Sequence, residues 1–146
     1  LISDPATIDK ELQEADLVIG AVLIPGAAAP KLVREETVKK MKKGAVLVDV
    51  AIDQGGCFEN SKKTSHDDPT FKVHDTLFYC VANMPGAVAN TSTRALSSAT
   101  LPYIRAVAND SLDAAIKRFP GLEGGVMTRG GRLVSEPVRK AFDWED

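Results

Sequence analysis

Apolar and polar positions alternate along the first half of the chain in a way that sorts it into short buried strands and amphipathic helices. Asp4-Pro5 has the form of a helix start, an N-cap followed by proline at the first helical position. The helix it opens carries Ile8, Leu12 and Ala15 on one face. The next run, Leu17 to Leu23, is continuously apolar and rich in β-branched residues, which predicts a strand buried on both faces. Pro25-Gly26 breaks it. Glu35 to Met41 reads as a helix ending near Gly44, Ala45 to Val50 as a second buried strand, and Leu77 to Val81 as a third. Strand, helix, strand with short connections predicts a parallel α/β sheet with right-handed crossovers. The polar stretch between Ile52 and His74 reads as a long loop.

After Pro85-Gly86 the pattern changes. Thr91 to Ala106 is helical in period, with a break or bend expected near Pro102. A further helix is expected over Ser111 to Arg118, stopped by Pro120-Gly121. Val126–Thr128 and Arg132–Val134 flank Arg129-Gly130-Gly131 as a hairpin would, and Ser135 is placed to cap a last helix through Phe142. The expected fold class is therefore α/β: an incomplete Rossmann-like, doubly wound parallel sheet over residues 1–89, followed by a helical segment over 90–146. A dinucleotide-binding sheet usually opens with a strand, a Gly-rich turn and a helix. No G-x-G-x-x-G occurs here and the first residue is Leu, so the chain is expected to begin after that turn.

Composition narrows the function classes. A net charge of −2 carries no footprint for nucleic acid or an anionic membrane. The short clusters Lys39-Lys40-Met41-Lys42-Lys43 and Lys62-Lys63 read as solvated helix ends or loops. No apolar run approaches the ~20 residues that span a bilayer. The 2 cysteines, Cys57 and Cys80, have neither metal-ligand nor disulfide-framework spacing and suit a reducing, cytoplasmic setting. No metal site is expected: Asp67-Asp68 lacks a neighbouring ligand and reads as turn-forming. His66 and His74 read as loop residues. Ser, His and Asp occur without a nucleophile-elbow sequence, so hydrolase chemistry has no support.

Three loops follow the three strands: Ala21–Gly26, Asp49–Gly56 and Ala82–Gly86. In open α/β sheets, ligands bind outside the carboxyl ends of the strands, and three such loops at one edge argue for a site more strongly than any one loop does. Asp53 is placed to act on a substrate or its ammonium group, and Gly55-Gly56 would let backbone approach a ligand. On spacing alone, Asp53 as a turn cap is the stronger reading. Asn83 offers amide donors and a carbonyl acceptor that suit a carboxamide ring; on spacing alone, an Asn in a turn before proline is the somewhat stronger reading.

Several long motifs in order resemble the alanine dehydrogenases. They are Val22-Leu23-Ile24-Pro25-Gly26 with Ala29-Pro30-Lys31-Leu32-Val33, Val48 through Cys57, His66 through Phe71, Tyr79 through Val88, Thr91-Ser92-Thr93, and Ala99 through Tyr103. The likeness is close over roughly the first 105 residues and looser beyond. It implies NAD-dependent oxidative deamination of L-alanine to pyruvate and ammonium, in a homo-oligomer that the family suggests is a hexamer. Asp53 falls on the family's catalytic aspartate. Val22, Leu32, Val50, Asn83 and Met84, with Asp53, fall on cofactor-contacting positions. The family's substrate-binding Arg and Lys, its catalytic His and its Gly-rich turn belong to an N-terminal region with no counterpart here; neither His66 nor His74 matches that histidine. The resemblance thus implies a C-terminal portion, inactive alone, with residues after about Asn90 returning to the catalytic domain. Ala28 stands where the family commonly has Lys, Ala89-Asn90 where it has Pro and a basic residue, and the tail from Val138 is idiosyncratic.

Two other functions fit parts of the pattern. One is the NAD(H)-binding subunit of a proton-translocating transhydrogenase, in which Glu is usual where Asp53 precedes Gln54-Gly55-Gly56. The other is a non-catalytic dinucleotide-binding module.

Overall fold

The computed structural model describes residues 4–25 and 27–142. The breaker Gly26, the N-terminal Leu1 and the end of the tail lie outside the described residues. The chain divides into two compact units, residues 1–84 and 85–146.

The first unit opens with helix α1, Pro5–Glu14. Asp4 caps it as expected, its carboxylate accepting from the Ala6 and Thr7 N–H groups at 3.0 Å each. Strand β1 (Leu17–Gly20), helix α2 (Glu35–Val38), strand β2 (Val46–Asp49) and the pair β3 (Thr70–Val73) and β4 (Thr76–Tyr79) follow. The sheet order is β1-β2-β4-β3. β1, β2 and β4 run parallel, with Leu17 opposite Val46 and Val46 opposite Leu77, so their carboxyl ends share one edge. The architecture is α/β and Rossmann-like, with a mixed rather than purely parallel sheet.

The antiparallel β3 lies within the stretch expected to be loop. Its period-2 pattern, Thr70-Phe71-Lys72-Val73, turns through His74-Asp75 straight into β4. Phe71 pairs opposite Phe78, and their rings pack at 5.4 Å between centroids. His74 takes the positive φ of 52° that this two-residue turn demands, and its Nε2 lies 3.0 Å from Glu35.

One face of the sheet carries the core. Leu47 and Phe78 are fully buried and pack with Val33, Val38, Met41, Cys57 and Phe58; Phe58 meets Phe78 edge-on at 6.0 Å. Burial of β1 on both faces does not hold: Leu17 and Ile19 are 58% and 63% exposed. Among the described residues β1 ends the sheet, and its alternate residues point to the face that the core of this unit does not cover.

In the second unit, helix α3 (Ala89–Asn109) runs without interruption through Pro102. Proline removes one intrahelical N–H donor, and next to it the Thr100 hydroxyl donates to the Leu96 carbonyl at 2.8 Å. Helix α4 (Leu112–Arg118) is capped by Ser111, and Tyr103 packs edge-on against Phe119 at 5.0 Å. The hairpin forms as expected from β5 (Thr128–Arg129) and β6 (Arg132–Leu133), with Gly130 and Gly131 at φ of 58° and 79°. Helix α5, Glu136–Ala141, ends the described chain. No helix among the described residues is long and apolar enough to cross a membrane.

Two adjacent glycines in the first unit have unlike roles. Gly55 and Gly56 both have left-handed φ, 90° and 76°, but a Cβ on Gly55 meets open space whereas one on Gly56 lies 2.7 Å from the Asp49 carboxylate and from Ser61. Gly55→Ala should therefore cost only the backbone penalty, roughly 1 kcal/mol. Gly56→Ala should cost roughly 3 kcal/mol, since overlap with a buried carboxylate is added. Urea unfolding of the two variants measures the difference.

Candidate active site

The site is built where β2 ends. Asp49, the last residue of that strand, is fully buried. A carboxylate removed from water needs hydrogen-bond donors around it. Asp49 accepts from the Cys57 N–H at 2.9 Å, the Phe58 N–H at 3.4 Å and the Ser61 hydroxyl, and the Cys57 thiol lies 3.5 Å away. These contacts fold residues 50–61 back over the strand end. The chain leaves β2 in a 3₁₀ turn, Val50–Gln54, closed by the left-handed Gly55. Gly56 thus approaches this carboxylate, and Gly55 is the glycine of the pair left open.

Asp53 stands exposed on that turn. Its carboxylate accepts the Asn83 N–H at 3.3 Å and pairs with the Lys63 ammonium at 3.6 Å. An exposed pair of this length contributes little to stability, but it places a cation and an anion side by side at the sheet edge. Asn83 holds φ of 54°, a left-handed conformation that asparagine tolerates better than most side chains. The Asn83 carbonyl is 3.2 Å from His66 Nε2. The loop residues on both sides reach these positions because the segment around Thr64 pairs alongside Val81, Thr64 donating to the Cys80 carbonyl at 3.0 Å.

A cleft of about 310 Å³ opens beside Asp53, lined by Ala21, Val22, Leu23, Val50, Ala51 and Gln54. The Gln54 side-chain oxygen is buried and has no partner among the described residues. Of the expected site residues, Val22, Val50 and Asp53 thus share one cleft, and Asn83 joins them through Asp53. Met84 follows Asn83 and is half-buried. Leu32 lines a separate depression with Pro5, Ile8, Asp9 and Thr37. Among the described residues no three His, Cys, Asp or Glu side chains gather as metal ligands would.

Four residues to which sequence reasoning gave no role take part. Lys31, whose Nζ donates to the Gly55, Gly56 and Phe58 carbonyls, and Lys63 carry no local signal of their role. His66 was read as a loop residue, which it is; its contact with Asn83 depends on a pairing 17 residues away. Asp49 did have a signal: one carboxylate inside the apolar run Val46-Leu47-Val48-Asp49-Val50 must find partners if the strand is buried.

Burial, and then the neighbouring Asp49 charge, push the Cys57 thiol from an ordinary 9.0 up to about 11. Between those values the unfolded chain ionises this thiol and the folded chain does not, so stability should fall as pH rises through the interval. Thermal melts from pH 8.5 upward should show a shallower decline for Cys57→Ala than for the parent.

Comparison with known proteins gives concordant matches. The model of the family described as alanine dehydrogenase/PNT, C-terminal domain, matches residues 1–136. An alanine dehydrogenase of Mycolicibacterium smegmatis is 57% identical over 141 residues, covering 97% of this chain and 38% of the relative. A solved L-alanine dehydrogenase superposes with a TM-score of 0.74 at 46% identity, over 97% of this chain and 39% of its own. A transhydrogenase from Sinorhizobium meliloti shares the fold, with a TM-score of 0.66 at 24% identity. The chain spans about two fifths of the length of these relatives.

Proposed function

Because the chain belongs to the alanine dehydrogenase/PNT C-terminal domain family, we propose that it is the C-terminal portion of an NAD-dependent L-alanine dehydrogenase, with Asp53 as its proton-handling carboxylate. The observation that carries the proposal is the hydrogen bond from the Asn83 N–H to the Asp53 carboxylate at 3.3 Å. It joins the loops after β2 and β4 beside a cleft at the carboxyl edge of a parallel sheet, where such folds bind nucleotides.

The residues fit a nicotinamide. Val22 and Val50 provide apolar walls, and Gln54, whose side-chain oxygen is buried without a partner among the described residues, lines the same cleft. Val22, Leu32, Val50, Asp53, Asn83 and Met84 would hold the dinucleotide, with the Asn83 amide complementary to a carboxamide. When bound, NAD+ supplies the acceptor for the hydride lost from the alanine Cα. Asp53 attracts the substrate ammonium by charge and takes up or returns its proton as the imine forms and is hydrolysed to pyruvate. Lys63, 3.6 Å from Asp53, holds a compensating charge when no substrate is present.

In the same proposal, residues 1–89 complete the NAD-binding domain and 90–146 return to the catalytic domain of a cytoplasmic homo-oligomer, a hexamer. The substrate is L-alanine in one direction and pyruvate with ammonium in the other. The aspartate before Gln54-Gly55-Gly56 favours this reading over a transhydrogenase subunit.

The test is NADH oxidation driven by pyruvate and ammonium, for this chain and for the full-length protein that carries it. Turnover is expected only in the longer form, and Asp53→Asn should lower it at least ~100-fold. Absence of pyruvate-dependent turnover in the longer form would favour a transhydrogenase-like or purely binding role.

A further inference from the structure

The loop that follows Asp53 is pinned by one strip of chain, residues 29–33. Its five consecutive carbonyls, Gln54 to Phe58, all find donors there. The Ala29 N–H reaches the Gln54 carbonyl at 2.9 Å, and the Leu32 and Val33 N–H groups reach that of Cys57 at 2.8 and 3.4 Å. The other three are taken by a single side chain: Lys31 Nζ donates to the carbonyls of Gly55 at 2.6 Å, Gly56 at 2.9 Å and Phe58 at 3.2 Å. An ammonium has three N–H donors, and Lys31 uses all of them on this loop.

From this we infer that Lys31 is a positioning residue for Asp53, locking the glycine hinge behind it. The physical need is plain. Gly55-Gly56 is the most freely rotating pair a chain can contain, and it directly follows the turn that carries Asp53. Gly55 has no Cβ with which to pack, and a Cβ on Gly56 would meet Asp49 and Ser61. The hinge is therefore held through its backbone: the Gly55 and Gly56 N–H groups donate to the Ile52 and Ala51 carbonyls at 3.1 and 3.0 Å, and Lys31 adds charge-assisted bonds to the hinge carbonyls. Lys31 also adjoins Leu32, so the same strip ties a proposed cofactor-contacting residue to the proton-handling one. A displacement of about 1 Å at a reacting group can cost ~100-fold in rate, which makes the hinge a sensitive place.

This role rests on Asp53 acting as proposed above, and the experiment separates the two claims. In the full-length protein, Lys31→Cys is assayed for alanine deamination at saturating NAD+ and alanine, below its melting temperature. It is assayed again after alkylation with 2-bromoethylamine, which rebuilds an ammonium of nearly the same reach. Cys57 and Cys80, both buried, should not react in the folded protein. The expected result is a fall in kcat of about tenfold to a hundredfold, with most of it restored on alkylation. An unchanged kcat, or a loss that persists once mass spectrometry shows the ammonium installed, overturns the inference. Asp53→Asn is measured alongside. If it retains full turnover, the reading of Asp53 fails; if it loses turnover while Lys31→Cys does not, only the role of Lys31 fails.

Discussion

The buried carboxylate of Asp49 is the contact on which the rest of the first unit depends. A charge at the end of a core strand is costly unless surrounded by donors. Here the donors come from a single returning loop, the backbone of Cys57 and Phe58 and the hydroxyl of Ser61. Satisfying Asp49 therefore fixes where the loop must go. It brings Phe58 onto Phe78 and Cys57 beneath β1, close enough that only glycine fits at position 20. It also forces glycine at 56, where any side chain would overlap the carboxylate. One polar group thus sets the identity of two glycines and the packing of two core residues.

The same fold-back leaves the functional groups outside. The 3₁₀ turn between Asp49 and Gly55 has its Ala51 and Ile52 side buried and its Asp53 side in solvent. The turn is thus anchored by apolar burial on one flank and presents a solvent-exposed carboxylate, paired with Lys63, on the other. Lys31 holds the downstream carbonyls, and the segment from Ser61 to His66 brings a cation to Asp53 and an imidazole to Asn83. Core burial supplies rigidity, and charged groups held at the edge of the sheet supply the chemistry.

The elements with strong local signals are legible in the sequence. Asp4-Pro5 marked the start of α1, the apolar runs marked β1, β2 and β4, and the two glycines at 130 and 131 marked the hairpin. Asp53 was recognisable as a candidate, though only the resemblance to a family lifted it above an ordinary turn residue. β3 was missed because four alternating residues inside a polar stretch carry little signal; its strand state comes from pairing with β4. At Pro102 a local rule predicted a break or a bend; the helix does not break, because the surrounding turns retained enough helical bonds to carry the chain across.

What the amino-acid sequence determined by itself was the set of short-range choices: caps, turns, apolar periods and the placing of loops after strands. Those depend on residues within a few positions of one another, and their physics is local. What only the tertiary structure decided was which groups meet. Asn83 reaches Asp53 across 30 residues and Lys31 reaches Gly55 across 24. These contacts exist because parallel strands bring remote loops to one edge, and no local pattern encodes the partner. The exposed face of β1 belongs to the same class, since an apolar run specifies a strand but not how many neighbours will cover it.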